Sequence, residues 1–393
     1  MVSILIAIIY LAFISLGLPD SMLGAAWPTM HGEIGADISV AGIISMIISL
    51  GTIVSSLLAD YLTRKFGSAM VTAVSTLTTA VSIFGFSISS SLTELCLWAI
   101  PYGLGAGAID ATLNNYVALH YNSRTMSWLH CFWGLGATIS PYIMGYCITG
   151  GFGWRNGYFS VSIIQAAISV LLFVSFPLWK RKAAETTKTG EKDAPEKPLG
   201  ISGVMKLKGI SSLLIAFFAY CSVEWTTVLW SASYLVENRG IDAAAVAKFS
   251  SFFLIGITVG RFLSGIIADK LGDKLLIRFG TYIVISGILL VLIPINTTVA
   301  LIGLIIIGFG CAPIYPAIIH STPENFGKEN SQAIIGIQMA AAYCGTTFMP
   351  MVFGFIASIT DIAVFPLYLL IITMFMLIMI ERLNNIMKSK TAE

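Results

Sequence analysis

Twelve apolar stretches, each about as long as a bilayer is thick, run through this chain of 393 residues. A helix needs roughly 20 consecutive apolar residues to cross the hydrocarbon core. The stretches fall approximately at 3–25, 40–61, 68–88, 93–118, 127–149, 155–179, 209–235, 246–269, 276–294, 298–319, 333–357 and 362–382. In lipid only helices and closed barrels satisfy their own backbone hydrogen bonds. Barrel strands would be about ten residues long and would alternate polar with apolar, and none of these stretches alternates. The expected fold class is therefore an all-α integral membrane protein with twelve transmembrane helices. Composition agrees, with 56% hydrophobic and 11% charged residues, where a soluble domain carries about 25% charged. A net charge of +2 gives no sign of a nucleic-acid partner.

The first run is too long for a signal-peptide core and has no basic segment ahead of it, so it is expected to stay as the first helix. An even number of crossings puts both termini on one side, and Lys and Arg mark the cytoplasmic side. Of the 22 Lys and Arg, only Arg155, Arg239 and Lys248 fall opposite the termini, and Arg261 lies inside the eighth run. Both termini are thus expected in the cytoplasm, in a multi-pass protein of the cell (inner) membrane.

Residues 180–208, beginning KRKAAETTKTGEKDAPEKPLG, break the apolar pattern with charge and proline and read as a flexible linker. The expected organisation is a six-helix bundle over 1–179, a cytoplasmic linker over 180–208 and a second six-helix bundle over 209–393. The halves share a loop. SLLADYLTRKFG (56–67) follows the second run and GIIADKLGDKLLIRFG (265–280) follows the eighth. Asp60 and Asp269 stand at the same place in each, at a helix end ahead of basic residues. An aspartate there can pair with a cation or with the N-terminus of another helix. A pair that forms in one state and breaks in another is a latch; without such a cycle it marks topology only.

Three carboxylates, Asp20, Asp110 and Glu224, lie inside apolar runs, where a charge costs roughly 3 kcal/mol or more and normally faces water, an ion or a substrate. Asp110 and Asn114 are four apart on the fourth run and share a face, next to Asn115. Gly103, Gly105 and Gly107 let neighbouring helices approach there. A carboxylate with a carboxamide binds hydroxyls well, since one accepts and the other both donates and accepts. His130 and Trp133 share a face of the fifth run. The seventh carries Tyr220, Glu224 and Trp230, and the eleventh Gln338. Aromatic faces beside hydrogen-bonding groups suit sugars; Trp27, Trp225 and Trp230 could equally belong to the interfacial belt. Asp20 stands beside Pro19 in the outer half of the first run, and Gly308, Gly310, Pro313 and Pro316 imply a kinked, flexible segment in the tenth. The six cysteines are scattered singly in apolar runs and read as small buried hydrophobes. The four histidines lack ligand spacing, and no nucleophile–base pair appears. No metal, no cofactor and no enzymatic activity are expected.

The paired loops resemble the cytoplasmic loop of the major facilitator superfamily, Gly-x-Leu-Ala-Asp-Arg-x-Gly-Arg-Lys. The second copy matches at Gly265, Ala268, Asp269, Lys270, Gly272 and Lys274. The first keeps Asp60, Arg64 and Lys65 but has Ser56, Tyr61 and Thr63 where the family has Gly, a basic residue and Gly. The resemblance implies two six-helix halves that rock about a midplane binding site, with Asp60, Arg64, Arg261, Asp269 and Lys270 as gating residues. Asp110 and Asn114, with Asp20 and the tenth-run prolines, are similar to the fucose permease-like sugar:proton symporters and related glucose-transporter-like proteins. The fucose carrier has Gln and Asn where this chain has His130 and Trp133, which implies a different saccharide. The resulting expectation is a monomeric secondary transporter of a sugar or sugar-like polyhydroxylated solute. It would be driven by proton symport through Asp110, Asp20 and Glu224, with Asn114, Asn115, His130, Trp133, Tyr220, Glu224, Trp230 and Gln338 in contact with the solute. A proton-driven efflux antiporter of drugs or amphiphiles, and sodium-coupled sugar uptake, are the alternatives.

Overall fold

A computed structural model describes residues 4–37, 40–181, 199–241 and 251–392. The middle of the expected linker, the first residues of the eighth run and Lys248 lie outside these residues. Among the described residues every regular element is helical. Ten helices are long and apolar enough to cross a bilayer. Two more long helices, Ser123–Thr149 and Ser251–Leu271, stand where the fifth and eighth runs were expected.

Proline lies at a break in two helices, the tenth, where a kink was expected, and the first, where none was. The first span comprises Ile4–Gly17 and Met22–Glu33, and Pro19 and Asp20 lie in the gap. The tenth comprises Thr297–Cys311 and Ile314–His320, parted at Ala312 and Pro313. Proline brings no N–H and clashes with the preceding turn, so each break frees backbone within an otherwise apolar span.

The described residues form two compact units. Of these residues, those within 4–116 and 129–181 form one and those within 117–128 and 199–392 the other. The turn between the fourth and fifth helices therefore groups with the second unit, a placement that the run pattern alone does not signal.

Within the first unit, glycines set helix separations. A Cβ on Gly17 would run into the Trp133 carbonyl, and one on Gly136 into the Ile14 carbonyl. Gly103 and Gly107 meet the Ile48 and Thr52 carbonyls of the second helix, while Gly105 meets Ser75 and Thr79 of the third. Ser55 and Ser56 donate to the Gly103 and Gly107 carbonyls at 3.5 and 3.3 Å. Helix-to-helix association in lipid depends on such small residues and interhelical hydrogen bonds. In the second unit Gly256 meets the Ile305 carbonyl and Gly308 the Phe253 carbonyl.

Candidate functional site

The break in the first helix places Asp20 deep in the first unit, yet with its side chain open to solvent-accessible space. Two neutral donors hold the carboxylate. The Tyr102 hydroxyl donates to Oδ1 at 3.1 Å and the Trp133 indole N–H to Oδ2 at 2.9 Å. The close crossing at Gly17 and Gly136 brings the fifth helix near enough for Trp133 to reach. Tyr102 was not singled out from sequence. No local pattern marks it, because its partner Asp20 lies 82 residues away on another span.

Asp110, Asn114 and His130 form a second cluster, all buried. The Asn114 amide donates to the Asp110 carboxylate at 2.7 Å and to the Asp110 backbone carbonyl at 3.0 Å. A carbonyl can only accept, so the Asn114 NH2 is fixed on that side. Its Oδ1 then faces His130 Nε2 at 3.0 Å, which makes Nε2 the protonated nitrogen. Phe13 meets the His130 ring edge-on at 5.5 Å. His130 and Trp133, three apart on one helix, thus each reach a different carboxylate cluster. Asn115 is buried alongside.

In the second unit Glu224 and Arg261 are buried together, with Nη2 and Oε1 3.3 Å apart. Tyr220, one turn before Glu224, donates to the Cys311 carbonyl at 3.0 Å. Arg261, read from sequence with the gating loop, therefore meets the seventh-run carboxylate. Trp230 donates to the Pro350 carbonyl at 2.9 Å and packs edge-on against Phe353. Gln338 is fully buried and accepts from Thr322 at 3.1 Å.

The paired loops differ. Asp60 accepts from Arg64 of its own helix at 2.9 Å. Asp269 accepts from Asn122 at 2.9 Å and from the Arg124 backbone N–H at 3.3 Å, with the Arg124 guanidinium 3.2 Å away. Asp269 thus caps the first turn of the Ser123–Thr149 helix. Gly265, one turn earlier, carries the Trp128 indole directly against it. Lys270 is exposed. Among the described residues no cluster of His, Cys, Asp and Glu could hold a metal ion.

The helices are long enough to span a bilayer, carry Asp20, Asp110 and Glu224 inside apolar spans, and repeat an Asp-containing loop in each half. The sequence profile of the Major Facilitator Superfamily matches residues 9–337 and, again, 213–385. The chain belongs to the Major Facilitator Superfamily. It is 22% identical over 394 residues to Bypass of stop codon protein 6 of Saccharomyces cerevisiae, covering 90% of this chain and 77% of that protein. It is 24% identical over 281 residues to the hexuronate transporter of Bacillus subtilis, covering 68% and 66%. The structure of the transporter FucP in its outward conformation superposes with a TM-score of 0.79 at 15% identity, over 97% of this chain and 98% of that one. Superfamily members are multi-pass transporters, and this protein is one.

Proposed function

We propose that this superfamily transporter carries a sugar or sugar-like polyhydroxylated solute by proton symport. One observation carries the reading: the Asp20 carboxylate faces open space inside an apolar span and is held there by a phenol and an indole. Neutral donors leave such a carboxylate able to take a proton and release it without stranding a buried cation. The Asp110–Asn114–His130 cluster is the second proton and hydroxyl site. Trp133 offers its ring face to a pyranose while its N–H anchors Asp20. FucP, described as a fucose:proton symporter of E. coli, and the hexuronate transporter support a carbohydrate class that includes sugar acids. Glu224, neutralised by Arg261, holds the second unit together and does not exchange protons. Asp269, with Lys270 beside it, acts in gating, while Asp60 and Arg64 pair within one helix. The basic loops support a cell-membrane location with both termini on the cytoplasmic side.

Purified protein in proteoliposomes tests this. Labelled monosaccharides, disaccharides and hexuronates are offered under an inward proton gradient, an inward sodium gradient or neither. Concentrative uptake of a sugar under the proton gradient alone is expected. Accumulation driven only by sodium would move the coupling to that ion. Extrusion of amphiphiles with no sugar taken up would overturn the reading.

A further inference from the structure

His320, the last residue of the tenth span, bonds through both ring nitrogens. Nδ1 lies 2.6 Å from Asp273 Oδ2 and Nε2 lies 3.1 Å from the Tyr121 backbone carbonyl. A carbonyl oxygen and a carboxylate oxygen are both acceptors. Asp273 is itself further engaged, because its Oδ1 accepts from the Ser123 hydroxyl at 2.6 Å. A neutral imidazole has a single N–H and can satisfy only one of these partners; the doubly protonated ring satisfies both. We propose that His320 is a proton-binding site, separate from the acids of the apolar runs, whose imidazolium ties the turn between the fourth and fifth helices to Asp273.

The surroundings fit a cation. Asp273 faces the ring from the start of the ninth helix and Glu324 from the short Thr322–Phe326 helix. The nearby Asp269–Arg124 pair holds the same turn. Charge-assisted hydrogen bonds are about twice as strong as neutral ones. When the ring loses its proton, one nitrogen turns a lone pair toward an acceptor and that arm of the bridge fails. The cationic contribution is therefore present at low pH and is lost as pH rises through the ring's titration. The turn is held more loosely in alkaline conditions, whichever solute is carried.

Hydrogen–deuterium exchange on the full-length protein in lipid nanodiscs tests this. Peptides covering 117–128 are followed from about pH 6 to about pH 8.5, which brackets the ordinary histidine range, after correction for the intrinsic pH dependence of exchange. Protection of the turn should fall about ten-fold across this range, while peptides from the Ser68–Ile88 helix stay level. His320→Gln should be flat at the alkaline level. Asp273→Asn makes the same comparison should His320→Gln fail to insert. Flat protection in the wild type overturns the proposal, and so does a wild-type slope retained in either variant.

Discussion

The two halves of this chain carry the same loop, yet one residue sends the two copies different ways. In the second, glycine at 272 takes φ 74° and ψ 160°, and the eighth helix ends at Leu271. That region of backbone space is open essentially to glycine alone. In the first, Thr63 stands at the corresponding place. Its hydroxyl donates back to the Ala59 carbonyl at 2.7 Å and the helix runs on to Phe66, ending at Gly67. The extra turn supplies Arg64 at four residues from Asp60, so that aspartate is satisfied within its own helix. Asp269 has no such turn after it and reaches the Asn122 and Arg124 segment instead. A latch needs a partner outside its own helix, and only the second copy has one among these contacts.

The acids of the apolar spans divide in the same way. Asp20 and Glu224 each lie on the first helix of their half. Neutral donors hold Asp20, whereas Glu224 is held by a buried guanidinium. Removing one member of a buried ion pair leaves the other unpaired, at about 3–5 kcal/mol. Glu224→Gln should therefore lose that much stability, visible as a lowered melting temperature in detergent. Glu224→Leu with Arg261→Met should regain most of it. Asp20→Asn should cost less than about 1 kcal/mol, since Tyr102 can turn its hydroxyl to accept from the new amide while Trp133 keeps its bond. Equal losses for Glu224→Gln and Asp20→Asn would erase the contrast between the two acids.

A smaller effect sharpens the role of the indoles. Trp133 and Trp230 are both tryptophans in apolar spans, but one donates to a carboxylate and the other to a backbone carbonyl. Trp133→Phe keeps an aromatic face and removes the N–H on Asp20, a hydrogen bond to a charged group worth about 1.5–3 kcal/mol. Uphill sugar uptake should fall roughly ten- to a hundred-fold per folded molecule. Trp230→Phe, which loses a neutral bond to Pro350, should leave uptake per folded molecule unchanged. Proteoliposome uptake normalised to monodisperse protein separates them. Unchanged uptake in Trp133→Phe would leave that residue as packing.

The sequence made the spans, the tenth-helix break and one polar face readable, because apolar length, proline and i,i+4 spacing act locally. Asp110 with Asn114 follows from spacing on one helix, and the glycines at 103, 105 and 107 do meet neighbouring backbones. What lay beyond reach depends on which helices meet. Tyr102 is one aromatic among many until the first-helix break turns Asp20 toward it. Arg261 reads as a member of the gating loop until the seventh helix brings Glu224 alongside. His320 ends an apolar run with no ligand spacing around it, and its partners come from residues 47 and 199 positions away. The consequence of Thr63 for Gly272 was readable as a departure from the family pattern, but its effect on where Asp60 finds a partner needed the helix end itself.

The finest test of the loop comparison concerns Asp60 and Asp269 directly. Both aspartates are partly exposed, so solvent screens their pairs and each is worth under about 1 kcal/mol. Asp269→Asn keeps the shape of the cap on the Ser123–Thr149 helix but removes the charge that meets Arg124 and the helix N-terminus. Protection of the 117–128 amides should drop about two- to five-fold, and transport rate should change more than sugar affinity. Asp60→Asn removes a pair internal to one helix and should leave both quantities where they were. Gly272→Ala extends the argument, because a side chain at φ 74° either strains the turn or lets the eighth helix continue as the second one does. If it continues, Asp269 turns away from Arg124, and the variant should reproduce the loosened turn of Asp269→Asn while Asp269 itself is intact. Equal protection of the 117–128 amides in wild type, Asp269→Asn and Asp60→Asn would mean that the two copies of the loop do the same work despite their different ends.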